Sequence, residues 1–318
     1  MSGTVSASAA ASAPVSIERL DAAGRATVGE CPVWRDDEQA LYWVDIPARS
    51  IVRLQLDTQI RSVWTLPEQV GCFGFDPEGG VIAGLESGVF AVTLGAESDD
   101  AAHTAHTAHT RRLAAPPFPA PNMRFNDGRC DRQGRFWAGT MVMDMSLAQP
   151  AGALFRYDAA RGLSAPLVDG LVTQNGLAWS PDGTTMYLSD SHPTRRLIWA
   201  FDFDTDTGVP HGRRVFADLH HHAGRPDGAA VDADGCYWTC ANDAGLLLRF
   251  TPAGRLDRRI ALPARKPSMC AFGGRDLDTL FVTSIRPADQ PGSDDGALFA
   301  VRAGVRGLPE PRFATPLL

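Results

Sequence analysis

The chain has 318 residues, 44% of them hydrophobic, which is enough apolar side chain for a large folded core and too much for a disordered chain. A net charge of −7 and a pI near 5.6 argue against nucleic acid as a partner, since phosphate binding needs a basic face, and equally against an anionic membrane surface. No run approaches the roughly 18 consecutive apolar residues of a membrane span.

The opening MSGTVSASAAASAPVS lacks the basic and apolar regions of a signal peptide. Residues 1–16 therefore read as a disordered Ala/Ser-rich leader, residues 17–318 as one β domain, and the chain as cytoplasmic. Length alone favours two domains, but propellers are long single units. Cys31, Cys72, Cys130, Cys236, Cys240 and Cys270 show no C-x-x-C and no zinc-ligand spacing. They read as reduced thiols, mostly buried as small hydrophobes.

Further along the chain a short apolar strand follows a polar turn six times: LYWVD (41–45), VIAGL (81–85), FWAGT (136–140), MYLSD (186–190), YWTCA (237–241) and LFVTS (280–284). The turns carry DPEGG, DRQGR, SPDGT and DADGC, where Gly supplies a positive φ and Asp bonds its own backbone. The strands recur at about 40 to 55 residues, the period of a four-stranded propeller blade. More strand-like runs lie between them: LFRYD (154–158), LIWAFDFD (197–204) and LLLRFT (246–251). The pattern predicts an all-β, six-bladed propeller with four-stranded antiparallel blades; an irregular sandwich would not need six turn-strand units. AHTAHTAHT (102–110) breaks the pattern and reads as a low-complexity surface loop within the second blade. The alternative is adventitious metal binding by His103, His106 and His109.

Eight residues before each turn glycine lies Asn126, Asn175, Asp227 or Gly71; the first repeat offers Glu30 in GECPVW, the sixth Lys266 or a near neighbour. Equivalent positions in a propeller form a ring about the axis, so these residues are expected at one mouth of a central channel. Glu30, Asn126, Asn175 and Asp227 are oxygen donors suited to a hard divalent cation. Singly, Asn-Gly, Asn-Asp-Gly and Pro-Asp-Gly read as structural turns; their shared repeat position favours the site. Arg124, two before Asn126, points to the same side of an extended chain. It is either a substrate contact or an ordinary surface arginine. His220, His221 and His222 read as a solvated loop near the mouth.

At these residues the sequence resembles the senescence-marker-protein/gluconolactonase family, also called regucalcin-like. The matching segments are GECPVW, RFNDGRCDRQGRFWAGTM, QNGLAWSPDGTTMYLSDS, RPDGAAVDADGCYW and CAFGG. The resemblance implies a six-bladed propeller, metal ligands at Glu30, Asn175 and Asp227, and substrate contacts at Arg124 and Asn126. It also implies a third substrate contact at Asp144, one methylene shorter than the Glu of the regucalcin branch, which leaves sugar preference open. The implied reaction is hydrolysis of an aldonolactone such as glucono-, galactono-, arabinono- or xylonolactone. The expected cofactor is one divalent ion, calcium first, with zinc, manganese or ferrous iron as alternatives. Asp227 is then the general base or the orienter of the attacking water. No G-x-S-x-G, C-x-x-C or phosphate loop offers a rival chemistry. Two other roles stay open: a hydrolase of other esters or organophosphates, and a calcium-binding regulator without a substrate. The expected partner is a small sugar lactone, and the expected state is a monomer or weak homo-oligomer.

Overall fold

The computed structural model describes residues 15–95, 105–289 and 291–317. The expected leader lies outside the described residues as far as residue 14, and Ser16 already belongs to the first strand, β1 (Ser16–Arg19). The chain is an all-β, propeller-like fold of antiparallel blades. Strands β2 (Gly29–Arg35), β3 (Ala40–Asp45), β4 (Ser50–Gln55) and β5 (Arg61–Thr65) form one meander. Strands β6 (Val70–Phe75), β7 (Val81–Leu85), β8 (Val89–Leu94) and β9 (Ala105–Ala114) form the next. A parallel contact between β5 and β9 joins these two into a single eight-stranded sheet.

Strands β10 (Met123–Cys130), β11 (Phe136–Val142) and β12 (Gly152–Asp158) follow, with β13 (Gly162–Leu163) and β14 (Val168–Leu171) both on the edge of β12. Strands β15 (Gln174–Trp179), β16 (Thr185–Asp190), β17 (Leu197–Asp204) and β18 (Val209–Asp218) make a four-stranded sheet. So do β19 (Arg225–Val231), β20 (Tyr237–Asn242), β21 (Leu246–Phe250) and β22 (Leu256–Ala261). The last sheet holds β23 (Pro267–Gly273), β24 (Thr279–Ser284) and β25 (Phe299–Arg302), and β1 completes it from the other end of the chain. The first strands of these meanders, β2, β6, β10, β15, β19 and β23, touch one another in that order and close back on β2.

The turn chemistry read from sequence is realised atom by atom. One carboxylate oxygen of Asp131 accepts from the amides of Gln133 and Arg135, and Asp232 does the same for Asp234 and Cys236. The other oxygen of each accepts from a buried indole, Trp137 or Trp238, at 2.8 Å. Each such turn thus pins its own following strand. Gly134 and Gly235, at φ +79, supply the left-handed conformation these turns require. Second strands such as β3 and β11 are buried along their whole length, because neighbouring sheets cover both faces. Outer strands such as β18 face solvent. All six cysteines are free and buried.

The AHT segment corrects the loop expectation. Residues 105–110 run in β9, hydrogen-bonded to β8 and to β5. β-branched Thr at every third position suits a strand edge, so low complexity here accompanies order. His106 lies opposite Trp64, their rings 5.6 Å apart, while His103 lies outside the described residues.

After β25 the chain crosses the face opposite the expected site. Gly307 N–H donates to Leu277 O, Ala314 N–H to Gly134 O, and Phe313 N–H to Phe75 O. Glu310 approaches the buried Arg129 at 3.6 Å, and Phe313, 1% exposed, packs beside Tyr157.

Candidate functional site

Each of the six inner strands breaks register near the expected ring position. The breaks fall between Glu30 and Val33, Val70 and Cys72, Phe125 and Gly128, Asn175 and Ala178, Pro226 and Ala229, and Pro267 and Cys270. A bulge of this kind re-aims a side chain out of the pleat. It also overturns the single-residue turn readings: Asn-Asp-Gly, Asn-Gly and Pro-Asp-Gly lie within inner strands. Counting from the turn glycine slips by one between sheets. Asn126 and Asp227 sit inside their bulges, whereas Glu30 and Asn175 are the last paired residues before theirs. In the sixth inner strand the bulge holds Ser268, not Lys266, because Gly274 opens its turn whereas Gly134, Gly183 and Gly235 stand near the end of theirs, so a count of eight overshoots. Ser268 is fully buried and its hydroxyl donates to Gly29 O. Gly71 fills the second position because a Cβ there would meet Phe125 O at 2.5 Å and Asn126 O at 2.6 Å.

The bulged residues converge. Asn175 Nδ2 donates to Asp227 Oδ1 at 2.5 Å, and Asn242 Nδ2 donates to Asp227 Oδ2 at 2.6 Å. Asn126 Nδ2 donates to Gln174 O at 2.8 Å, which ties its strand to that of Asn175. Arg124 NH1 donates to Asn126 Oδ1 at 2.9 Å, so the two share one side as their spacing required. Asp227 and Asn175 are 3% and 4% exposed; Glu30, Arg124 and Asn126 are partly open.

Electrostatics place Glu30 in the same cluster. Its carboxyl is pushed well above the usual range, first by burial, then by the neighbouring Asp227 and Asp127, with Arg124 opposing. Asp227 is pushed up as well, chiefly by burial, while Arg225 and the Asn242 hydrogen bond pull it down. Burial lowers the Arg124 guanidinium. The cluster is therefore a set of desolvated carboxylates with too little positive charge to balance them. With two carboxylates and carboxamide oxygens, this donor set fits a hard divalent cation. Among the described residues no group of three or more His, Cys, Asp or Glu side chains offers another centre.

The remaining expected residues fall outside the cluster. Asp144 is exposed, and its carboxylate accepts from Ser146 N and Oγ at the start of a short 3-10 turn, Met145–Leu147. His220 pairs with Asp218 at 2.7 Å, and His222 packs on Phe250, so the three histidines do not converge.

Sequence reasoning missed a second layer. Asp45 accepts from the amides of Thr27 and Val28, and Asp190 from those of Val172 and Thr173. Each carboxylate, at the end of a second strand, fixes the backbone leading into a ring residue. Asn242 holds the equivalent place and reaches Asp227 itself. The aspartates of LYWVD and MYLSD carried this signal as repeat positions, but Asn242 breaks the residue type.

The sequence profile of the SMP-30/gluconolactonase/LRE-like region matches residues 28–286. A 6-deoxy-6-sulfogluconolactonase of Pseudomonas putida is 41% identical over 295 residues, covering 90% of this chain and 95% of the relative. Regucalcin of Danio rerio is 33% identical over 292 residues, covering 89% and 93%. Among solved structures, a luciferin-regenerating enzyme superposes with a TM-score of 0.85 at 24% identity, over 95% of this chain and all of the other. A calcium-binding regucalcin from Agrobacterium tumefaciens gives 0.81 at 24%, over 93% and 97%. With the profile spanning the inner-strand ring and relatives aligned along nearly the whole chain, this protein belongs to the SMP-30/gluconolactonase/LRE-like family.

Proposed function

We propose that this protein is a divalent-metal-dependent hydrolase that opens a sugar lactone to its acid, at one mouth of a six-bladed propeller built by residues 17–318. The blade count follows from taking the eight-stranded sheet as two blades touching edge to edge, in keeping with the closed cycle of six inner strands. The observation that carries the chemistry is the desolvated pair of carboxylates, Glu30 and Asp227, with the amides of Asn175 and Asn242 held on the two oxygens of Asp227. The relative named as a 6-deoxy-6-sulfogluconolactonase supports the reaction class, and the solved structure named as a calcium-binding protein supports calcium as the first candidate ion.

Glu30, Asn175 and Asp227 hold the cation. When bound, it polarises the lactone carbonyl and acidifies water. Asp227 takes a proton from the attacking water as the new C–O bond forms. The tetrahedral centre then collapses, the ring C–O bond breaks, and the proton held by Asp227 passes to the ring oxygen, which leaves as a hydroxyl. Asn242 keeps the Asp227 carboxylate in one orientation through the tie to Oδ2. Arg124 and Asn126 bind sugar hydroxyls; Arg124 NH1 is already committed to Asn126 Oδ1 and Phe125 O, so Nε and NH2 remain to face a ligand. Asp144 contributes at the rim once its carboxylate leaves Ser146.

The test is acid release from glucono-, galactono-, arabinono- and xylonolactone by chelator-stripped protein, with calcium, zinc or manganese restored. Metal-dependent turnover of at least one lactone is expected. Metal binding without turnover of any lactone would leave a calcium-binding regulator as the better reading and overturn this one.

A further inference from the structure

Two residues upstream of the ring, the inner strands carry a second set of side chains. Arg124 stands two before Asn126, Arg225 two before Asp227, and Lys266 two before Ser268. Two residues of strand rise about 6.6 Å, the length scale of a hexose. These cations stand above a ring whose own charges are the carboxylates of Glu30 and Asp227.

Arg225 is linked to the site by hydrogen bonds. Its NH2 donates to Asn242 Oδ1 at 3.3 Å, and Asn242 in turn holds Asp227 Oδ2. Its NH1 reaches across to Ser191 O and Oγ, at 3.2 and 3.1 Å. Arg225 Nε and Lys266 Nζ share one carboxylate, Asp243, at 2.8 and 2.9 Å. The two cations outnumber Asp243, their shared carboxylate, and Arg225 also offsets the charge of Asp227. Arg225 is 14% exposed and Lys266 26%, so the charge is partly shielded from water and effective at short range. A neutral polyol gains little from such a collar, whereas a terminal anion gains charge-assisted hydrogen bonds.

We infer that Arg225 and Lys266 form a subsite for an anionic group, a sulfonate, phosphate or carboxylate, at the end of the lactone remote from its carbonyl. This rests on the lactonase reading above. Within it, the subsite assigns specificity: Arg124 and Asn126 hold the sugar, and the collar across the mouth holds its charged terminus. Asp243 positions the two cations and limits the subsite to one anionic group.

The experiment compares glucono-1,5-lactone with its 6-phospho and 6-deoxy-6-sulfo forms, spontaneous hydrolysis subtracted. Wild-type protein is expected to favour at least one anionic form by about tenfold or more in kcat/KM, with a preference that shrinks as salt is raised. Lys266→Met and Arg225→Gln are each expected to cut the ratio of anionic to neutral kcat/KM by about fivefold to tenfold. The phospho and sulfo arms identify which anion the subsite takes. Equal kcat/KM on all three lactones, or variants that leave the ratio unchanged, would overturn the inference while the lactonase reading stands. If no lactone turns over, calorimetric titration with gluconate and 6-phosphogluconate decides it. Tighter binding of the phosphorylated acid, weakened by Lys266→Met, upholds the subsite, and equal binding refutes it.

Discussion

Asp227 is buried, raises the neighbouring Glu30 carboxyl by its charge, and receives an amide hydrogen bond on each oxygen. An amide in its place keeps the size and one oxygen but removes the charge and the ability to accept a proton at neutral pH. Asp227→Asn should therefore lower kcat for lactone hydrolysis by about 10²–10⁴-fold with the fold intact by thermal melt. A variant with near wild-type kcat would show that this carboxylate is not the base. Arg124→Ala should instead act mainly on KM, since Arg124 is placed to meet sugar hydroxyls; a pure loss of kcat would move it to the reacting carbonyl. Asn126, Asn175 and Asp227 were legible because a turn glycine lies a fixed distance downstream in the sequence. Asn242 and Arg225 were not legible. Asn242 lies at the end of β20 with no turn chemistry beside it, and the role of Arg225 depends on partners up to 34 residues away.

At the scale of the strand, the bulge is the device that makes the site. Gly71 shows its cost in space, since that inner strand lies against the carbonyls of Phe125 and Asn126. Gly71→Ala should force the two strands apart. The expected loss is about 1–3 kcal/mol in denaturant unfolding, with a fall in lactone turnover because Asn126 moves. Unchanged stability would mean that β6 shifts freely. Strand periodicity and turn chemistry foretold the second strand of each meander, and Asp131 and Asp232 bond as their turns required. The prediction failed at AHTAHTAHT, where composition outweighed the β-branched threonines; at the sixth ring position the count reached only a near neighbour, Lys266 for Ser268, because Gly274 opens its turn.

For the molecule as a whole, the proposed ion at the ring would tie strands from three sheets through Glu30, Asn175 and Asp227. Binding to the folded state alone stabilises by mass action, about 2.7 kcal/mol at a hundredfold excess over Kd. Calcium should therefore raise the melting temperature by several degrees, chelator should reverse it, and Asp227→Asn should shrink the shift. A melt indifferent to calcium, zinc and manganese alike would remove the metal from the site. The repeat was visible in the sequence, but the closure was not: β1 pairs with β25 across 283 positions, with Ile17 opposite Val301 among the partners, and no local signal announces so distant a partner. The segment beyond β25 goes further, touching Leu277, Gly134 and Phe75 in turn. During synthesis the sheets emerge one after another, yet the bed of Phe313 is made of residues far upstream that wait for it. The far mouth stays uncovered and Tyr157 stays without Phe313 until the segment beyond β25 has been made, so this cover can only be laid over sheets that are already there.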